Sequence, residues 1–311
     1  MIYESFEHVL GQIRGFRQPK RVVLAGGEDE YGLEAVFAAQ KRGIVYPVIV
    51  GDKGRIGELV REGGYAEEPH TIVHSPAGVN PSRTAVDIIN SGDADFLMKG
   101  LIETKDFLKP VVDRANGLNT GGIISHFGLA EVPNYPKLIG ITDGGVIINP
   151  TVDEKRRIIR NAVDTLRRMG YERPKVALLC AVETVNPKMQ ETVDAAELVS
   201  MWEAGKIPDC DLAGPLSYDL ALDRESARIK GVDCPWCGDF DMLIAPQLVT
   251  GNVLMKSWAN TAGGKLGGII VGARVPIVLA SRSTDFQGKM CSLILAAACC
   301  RENTYTDEKE G

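Results

Sequence analysis

No apolar run in this 311-residue chain approaches the ~20 residues needed to cross a bilayer, so no helical membrane span is expected. The opening MIYESFEHVLGQ carries acids and no apolar stretch, which argues against a secretory leader and makes a cytoplasmic setting the expectation. Cysteine is scarce: seven residues, too few and too scattered for a disulfide framework. Cys180, Cys291, Cys299 and Cys300 lie in apolar stretches and read as small core residues. Cys234-Pro235-Trp236-Cys237 has redox spacing, yet it follows Gly231-Val232-Asp233 rather than a strand entering a helix. Neither a second CxxC nor a histidine pair accompanies it, so no metal site is expected. Positive charge is not in excess either, and a net charge of −6 disfavours a nucleic-acid surface. GxGxxG is also missing. Gly26-Gly27-Glu28-Asp29 places two acids where a dinucleotide pyrophosphate would dock, which argues against a nicotinamide site there.

What is present is an alternation of short β-branched runs with helical periods. The chain is longer than a single core usually grows, so two lobes are expected. Residues 1–18 read as an amphipathic helix with Phe6, Val9, Leu10 and Ile13 on one face. Strands are expected at 21–25, 46–51, 71–74 and 96–98, each followed by a helix, and this predicts a parallel sheet covered on both faces. Further on, 138–142 and 146–148 read as a hairpin across Asp143-Gly144-Gly145. Helices are expected at 150–169, 192–204 and 253–261. Strands are expected at 176–180 and 242–245, and 212–216 reads as the start of a loop. The stretch from Gly268 to Asp285 organises the rest. Two apolar runs, 269–271 and 277–280, flank a short connection, and the second empties into Ser281-Arg282-Ser283. In open α/β sheets the loops at the carboxyl ends of strands carry the ligand site. Arg282 would bring to such a loop a fixed charge and a planar fork of donors suited to phosphate.

The same logic recurs elsewhere. Lys99-Gly100 ends a strand, with Thr104 nearby and Lys109 in the helix after it. Ser125-His126 reads as another strand end, and Thr250-Gly251-Asn252 as the approach to a helix whose N–H groups could face an anion. Each has an ordinary counterpart: a solvated sheet-end lysine, a structural histidine, a helix cap. Together they are all donors or cations expected at strand ends or helix starts, which describes an anion pocket, most naturally for phosphate.

Five ordered blocks then add a resemblance. They are Gly214-Pro215-Leu216-Ser217-Tyr218-Asp219, Asp241 to Pro246, Thr250 to Lys256, Gly267 to Ala273 and Pro276 to Ser283. With Leu97-Met98-Lys99-Gly100, Asn161-Ala162-Val163 and the segment Ala181 to Met189, the chain resembles the phosphate acetyl/butyryltransferase family, on its butyryltransferase side, from about residue 20 to 298. The resemblance implies a two-lobed α/β fold similar to isocitrate dehydrogenases, with a parallel sheet in the first lobe and the active site in the cleft between lobes. The lobes would comprise residues 1–132 plus 276–311, and 133–275. It also implies a homodimer and the reaction of an acyl-CoA, with a short chain such as butyryl or acetyl, and phosphate to give acyl phosphate and free CoA. Coenzyme A would be a substrate, with no cofactor. Ser281 and Arg282 would lie in the active site, and a basic residue in the helix after the Lys-Gly strand, here Lys109, would contribute. The family's acid after Ser-Arg, proposed as the base for the CoA thiol, is displaced by one residue to Asp285. Two other readings stand beside this one: a non-catalytic acyl-CoA or phosphate sensor, and a metal-dependent hydroxyacid dehydrogenase built on the close pair Asp239 and Asp241.

Overall fold

A computed structural model describes residues 2–76, 78–280 and 284–300. The first half of the chain alternates as expected. Helix α1 (Phe6–Ile13) precedes β1 (Lys20–Ala25), α2 (Glu30–Lys41), β2 (Val45–Gly51), α3 (Lys53–Glu62), β3 (Thr71–His74), α4 (Pro81–Asn90), β4 (Phe96–Lys99) and α5 (Thr104–Val111). Helix α1 is shorter than the 1–18 expected, because Ser5 caps it by accepting the His8 N–H and the apolar face ends at Ile13. Next come β5 (Ser125–Glu131), β6 (Ile139–Thr142), α6 (Val152–Arg168), β7 (Lys175–Leu179), α7 (Gln190–Glu203) and β8 (Asp211–Leu216). Helix α6 follows its sequence signals closely. Thr151 and Glu154 form a capping box, and Arg167 and Arg168 lie in the last turn against the helix dipole. The described residues end with α8 (Tyr218–Leu222), α9 (Arg224–Lys230), β9 (Met242–Ile244), α10 (Leu248–Asn260), β10 (Lys265–Val271), β11 (Ile277–Val278) and α11 (Phe286–Cys299).

The strands of the described residues form one sheet in the order β3-β2-β1-β4-β11-β10-β5-β6-β9-β7-β8. The strands β3 to β11 of this order are mutually parallel. At the other end β6, β9, β7 and β8 are also mutually parallel. Between these halves β10 is antiparallel to both β11 and β5, and β5 is antiparallel to β6, so the two parallel halves run in opposite directions. The expected lobe boundaries at 132/133 and 275/276 fall in the connections after β5 and after β10. In the sheet these two strands lie side by side, β10 next to β11 and β5 next to β6.

Three sequence expectations are corrected. Residues 146–148 form no strand; β6 pairs instead with β5 and β9, so there is no hairpin across Asp143. Residues 212–216 are not a loop but strand β8, paired with β7 at the sheet's end. The third is α10, which begins at Leu248 rather than Val253, so Thr250, Gly251 and Asn252 sit inside its first turns rather than ahead of it.

The core shows which face is which. On one face a single apolar cluster runs the whole width of the sheet, from Val22 and Phe96 through Phe127 and Ile269 to Val176, under α1, α2, α6, α7 and α11. From Lys289 onward helix α11 is buried all round, as its apolar composition requires. Buried charge is paired. The Lys137 ammonium lies 2.6 Å from Asp241 and 2.9 Å from Asp239, with both Lys137 and Asp241 almost wholly enclosed. Asp241 also accepts the Lys175 N–H at 2.8 Å, and the Lys175 ammonium bonds Asp239. Lys137→Met is therefore expected to strand a buried carboxylate and cost about 3–5 kcal/mol, read as a lower midpoint in chemical denaturation. The double variant Lys137→Met/Asp241→Leu should recover most of that loss, whereas an equally unstable double variant would show that packing rather than pairing is at stake.

Candidate active site

The opposite face of the sheet is divided. Its first cluster, with Val23, Leu97, Ile270 and Ile277 under α4 and α5, is separate from the second, with Ala130, Ile141, Leu243 and Met255 under α10. Between them run β10 and β5, and their residues on this face include glycines. A Cβ at Gly128 would strike the Met255 sulfur, and one at Gly268 would come within 2.7 Å of His126 Nε2. Glycine inside a strand marks a close approach, and here it lets Met255 and His126 settle onto the strand backbone in the cleft between the two apolar clusters.

The strand register fixes what lines this cleft. Leu97 pairs with Ile277, Ile277 with Ile270, and Ile270 with His126, so these four share one row and one face. Two residues along, by the same register, come Lys99, Leu279, Gly268 and Gly128. Lys99 and Gly268 are thus separated by one intervening strand, about 10 Å apart. The Lys99 ammonium donates to the carbonyls of Gly100 and Ile102, both at 3.1 Å, in the turn that leads to α5.

His126 projects onto this face. Its ring lies against Gly145, where a Cβ would approach to 3.1 Å, and leans over Gly268. Thr142 Oγ1 donates to the His126 carbonyl at 2.6 Å and fixes the strand ends of β5 and β6. Asp143 then organises the following turn, and its carboxylate accepts the N–H groups of Gly145, Val146 and Ile147 at 2.7, 3.0 and 3.1 Å. This turn is clamped to the start of α10. Asn252 donates to the Gly144 carbonyl at 3.0 Å, and Gly251 packs so closely on Asp143 that no side chain would fit.

Among the residues singled out from sequence, the structure joins some and separates others. Ser125 and His126 do not end a strand; they open β5 and face opposite sides of the sheet, as the period of two demands. Ser125 is fully enclosed on the continuous-core face and accepts from Asn161 Nδ2 at 3.0 Å, which keeps it out of the cleft. Thr104 and Lys109 are on α5, beyond Lys99, Thr104 exposed and Lys109 in its last turn. Thr250 borders a cavity of about 760 Å³ at the carboxyl ends of β7 and β9, beside Cys180, Pro246 and Val253, with the buried Lys155–Asp194 pair (2.6 Å) also lining it. Gly251 and Asn252 hold the Asp143 turn. Asp285 caps α11, its Oδ1 accepting the Gly288 N–H at 2.8 Å. Ser281 and Arg282 lie outside the described residues.

The Asp239 and Asp241 pair is taken up by Lys137 and Lys175, and among the described residues no group of three or more His, Cys, Asp or Glu side chains is placed to hold a metal ion. Cys237 is buried, and burial followed by the neighbouring Cys234 pushes its thiol up to about 12, the opposite of what a redox thiolate needs. The residues missed from sequence are Asp143, Gly128 and Gly268. Asp143 has the local signature of a hairpin turn. Glycine within an otherwise apolar strand, single at Gly128 and doubled at Gly267-Gly268, is the available signal for the other two.

Comparison with known proteins gives a consistent set of likenesses. Residues 70–297 match the family described as phosphate acetyl/butaryl transferase. A phosphate butyryltransferase of Clostridium acetobutylicum is 38% identical over 294 residues, 94% of this chain and 97% of that relative. A phosphate acetyltransferase of Thermotoga maritima is 35% identical over 278 residues, 89% of this chain and 94% of the relative. Among solved structures, a branched-chain phosphotransacylase from Enterococcus faecalis V583 superposes with a TM-score of 0.79 at 31% identity, over 90% of this chain and 98% of that one.

Proposed function

Because this chain belongs to the phosphate acetyl/butaryl transferase family, we propose that it exchanges a short acyl group between coenzyme A and inorganic phosphate. A likeness at 38% identity that runs along 94% of the chain to a phosphate butyryltransferase carries this reading, supported by a cleft that brings Lys99 and His126 to one face of the sheet centre. In the forward direction a phosphate oxygen attacks the thioester carbonyl, the C–S bond breaks, and the sulfur leaves as thiolate and takes a proton. In reverse the thiolate attacks the carbonyl of the acyl phosphate and phosphate departs.

Arg282 would hold the phosphate and neutralise the charge that grows in the transition state, with Ser281 donating to the developing oxyanion. Asp285 would take the thiol proton. It begins the helix that follows the Ser281–Arg282 segment, and a free thiol, at ~8.5, needs such help at neutral pH. Lys99, Thr104, Lys109 and Thr250 would supply the surrounding field for phosphate and the anionic parts of CoA, while Gly251 and Asn252 set the frame through the Asp143 turn. Residues 1–132 plus 276–311 and residues 133–275 would form the two walls of the cleft. A homodimer in the cytoplasm completes the proposal, and light scattering of the purified protein reads the dimer directly. Among the described residues no helix is long and apolar enough to cross a membrane.

The test is thiol release from a series of acyl-CoAs, acetyl through hexanoyl, with and without phosphate. Phosphate-dependent release with a maximum at one chain length is expected. Binding of acyl-CoA without turnover would favour a sensor instead. A hydroxyacid-dependent change in nicotinamide absorbance would favour the dehydrogenase reading, whose paired aspartates are already engaged by lysines.

A further inference from the structure

The buried side of the His126 ring decides what the open side can do. Nδ1 is fully enclosed and has no hydrogen-bond partner, although the residue as a whole is partly exposed. Nε2 is not enclosed in this way. It lies over Gly268, in the row that also contains Lys99 and Leu279, and Leu279 is two positions before Ser281. A neutral imidazole carries one proton, on either nitrogen. A buried N–H without an acceptor is rarer and costlier than a buried lone pair without a donor. The proton therefore belongs on Nε2. A second proton would have to sit on the enclosed Nδ1 with nothing to receive it, so the ring stays uncharged. Asp143 is the charged neighbour that opposes this. Its carboxylate, however, is occupied by three backbone N–H groups, and burial outweighs it in holding the His126 pKa below the ordinary value.

We infer that His126 is an uncharged hydrogen-bond donor, Nε2–H, aimed at the carbonyl oxygen of the transferred acyl group. This deepens the acyltransferase reading and rests on it. The donor lies low over the backbone of Gly268, which the missing side chain there permits. As phosphate attacks, the carbonyl π electrons move onto oxygen and the Nε2–H bond to that oxygen shortens. When the C–S bond breaks, its electron pair goes to sulfur and the carbonyl re-forms. The imidazole proton stays on Nε2 throughout, so His126 acts as an electrophile and leaves the acid–base work to another group. It also complements Arg282, which serves the phosphate rather than the carbonyl.

Two measurements on the intact protein test this. Nitrogen-15 NMR of the imidazole, with His126 assigned by difference against His126→Gln, should show the neutral Nε2–H tautomer throughout the neutral range. Nδ1–H or a charged ring at neutral pH would overturn the inference. Kinetically, His126→Leu should lower kcat by about 10²–10³-fold, as for other lost carbonyl donors, with KM for phosphate little changed. His126→Gln keeps an N–H near the Nε2 position and should recover most of the loss, which a purely structural role would not produce. Wild-type kcat in a folded His126→Leu variant would overturn the assignment alone, while no phosphate-dependent thiol release by the wild-type protein would overturn the functional reading beneath it. Should His126→Leu fail to fold, the Gln variant and the tautomer still decide.

Discussion

Arg282→Ala is expected to lower turnover by about 10²–10³-fold while leaving the thermal midpoint unchanged. The residue follows the short strand β11, which is held between β4 and β10, and β11 makes its pairing without it. Arginine provides two directed donors and a charge that does not titrate, and phosphate becomes more demanding of both as it attacks. The charge acts on bound phosphate and on the transition state alike, so KM for phosphate should rise and kcat should fall together. Arg282→Lys should restore only part of the rate, because a single point charge replaces a fork. Steady-state kinetics with phosphate and acyl-CoA varied in turn measures all of this. A folded alanine variant with wild-type kcat would remove Arg282 from the mechanism.

Asp285→Asn is the second large effect, and here the structure sharpens the experiment. Asp285 caps α11 through Oδ1, and asparagine caps a helix about as well as aspartate. The substitution therefore removes the basic carboxylate while keeping the fold, whereas Asp285→Ala would also lose a cap worth about 1 kcal/mol. If Asp285 takes the thiol proton, the asparagine variant should consume CoA and acyl phosphate ~10²–10⁴-fold more slowly near neutral pH. The sign with pH comes from the thiol. Above its pKa of ~8.5, solution supplies thiolate without a base, so the defect should shrink as pH rises. A constant ratio to wild type from neutral pH to above that value would assign Asp285 to the cap alone.

Much of the fold is legible directly because it depends on local chemistry. The first four strands and their helices fall where β-branched runs, caps and glycines put them, and α6 matches from Thr151 to Gly170. Sequence misleads where a partner distant along the chain decides the conformation. Asp143-Gly144-Gly145 has the composition of a hairpin turn, but its carboxylate closes a turn pinned by Asn252, more than a hundred residues later. Residues 212–216 carry glycine and proline, which suit a loop, yet they lie at the sheet's end, where a missing N–H is tolerated.

Sequence by itself determined the class of fold, the family and the kinds of side chain available for binding an anion, because composition, periodicity and motif order are properties of the chain alone. Only the tertiary structure decided which of those side chains meet. Ser125 and His126 are neighbours in sequence, and strand geometry sends them to opposite faces, one under Asn161 and the other into the cleft. Lys99 and His126 are 27 residues apart and reach the same face because β11 and β10, from the far end of the chain, are inserted between their strands. That insertion is a long-range pairing, fixed by the burial of two strands against both halves of the sheet, and no local pattern encodes it.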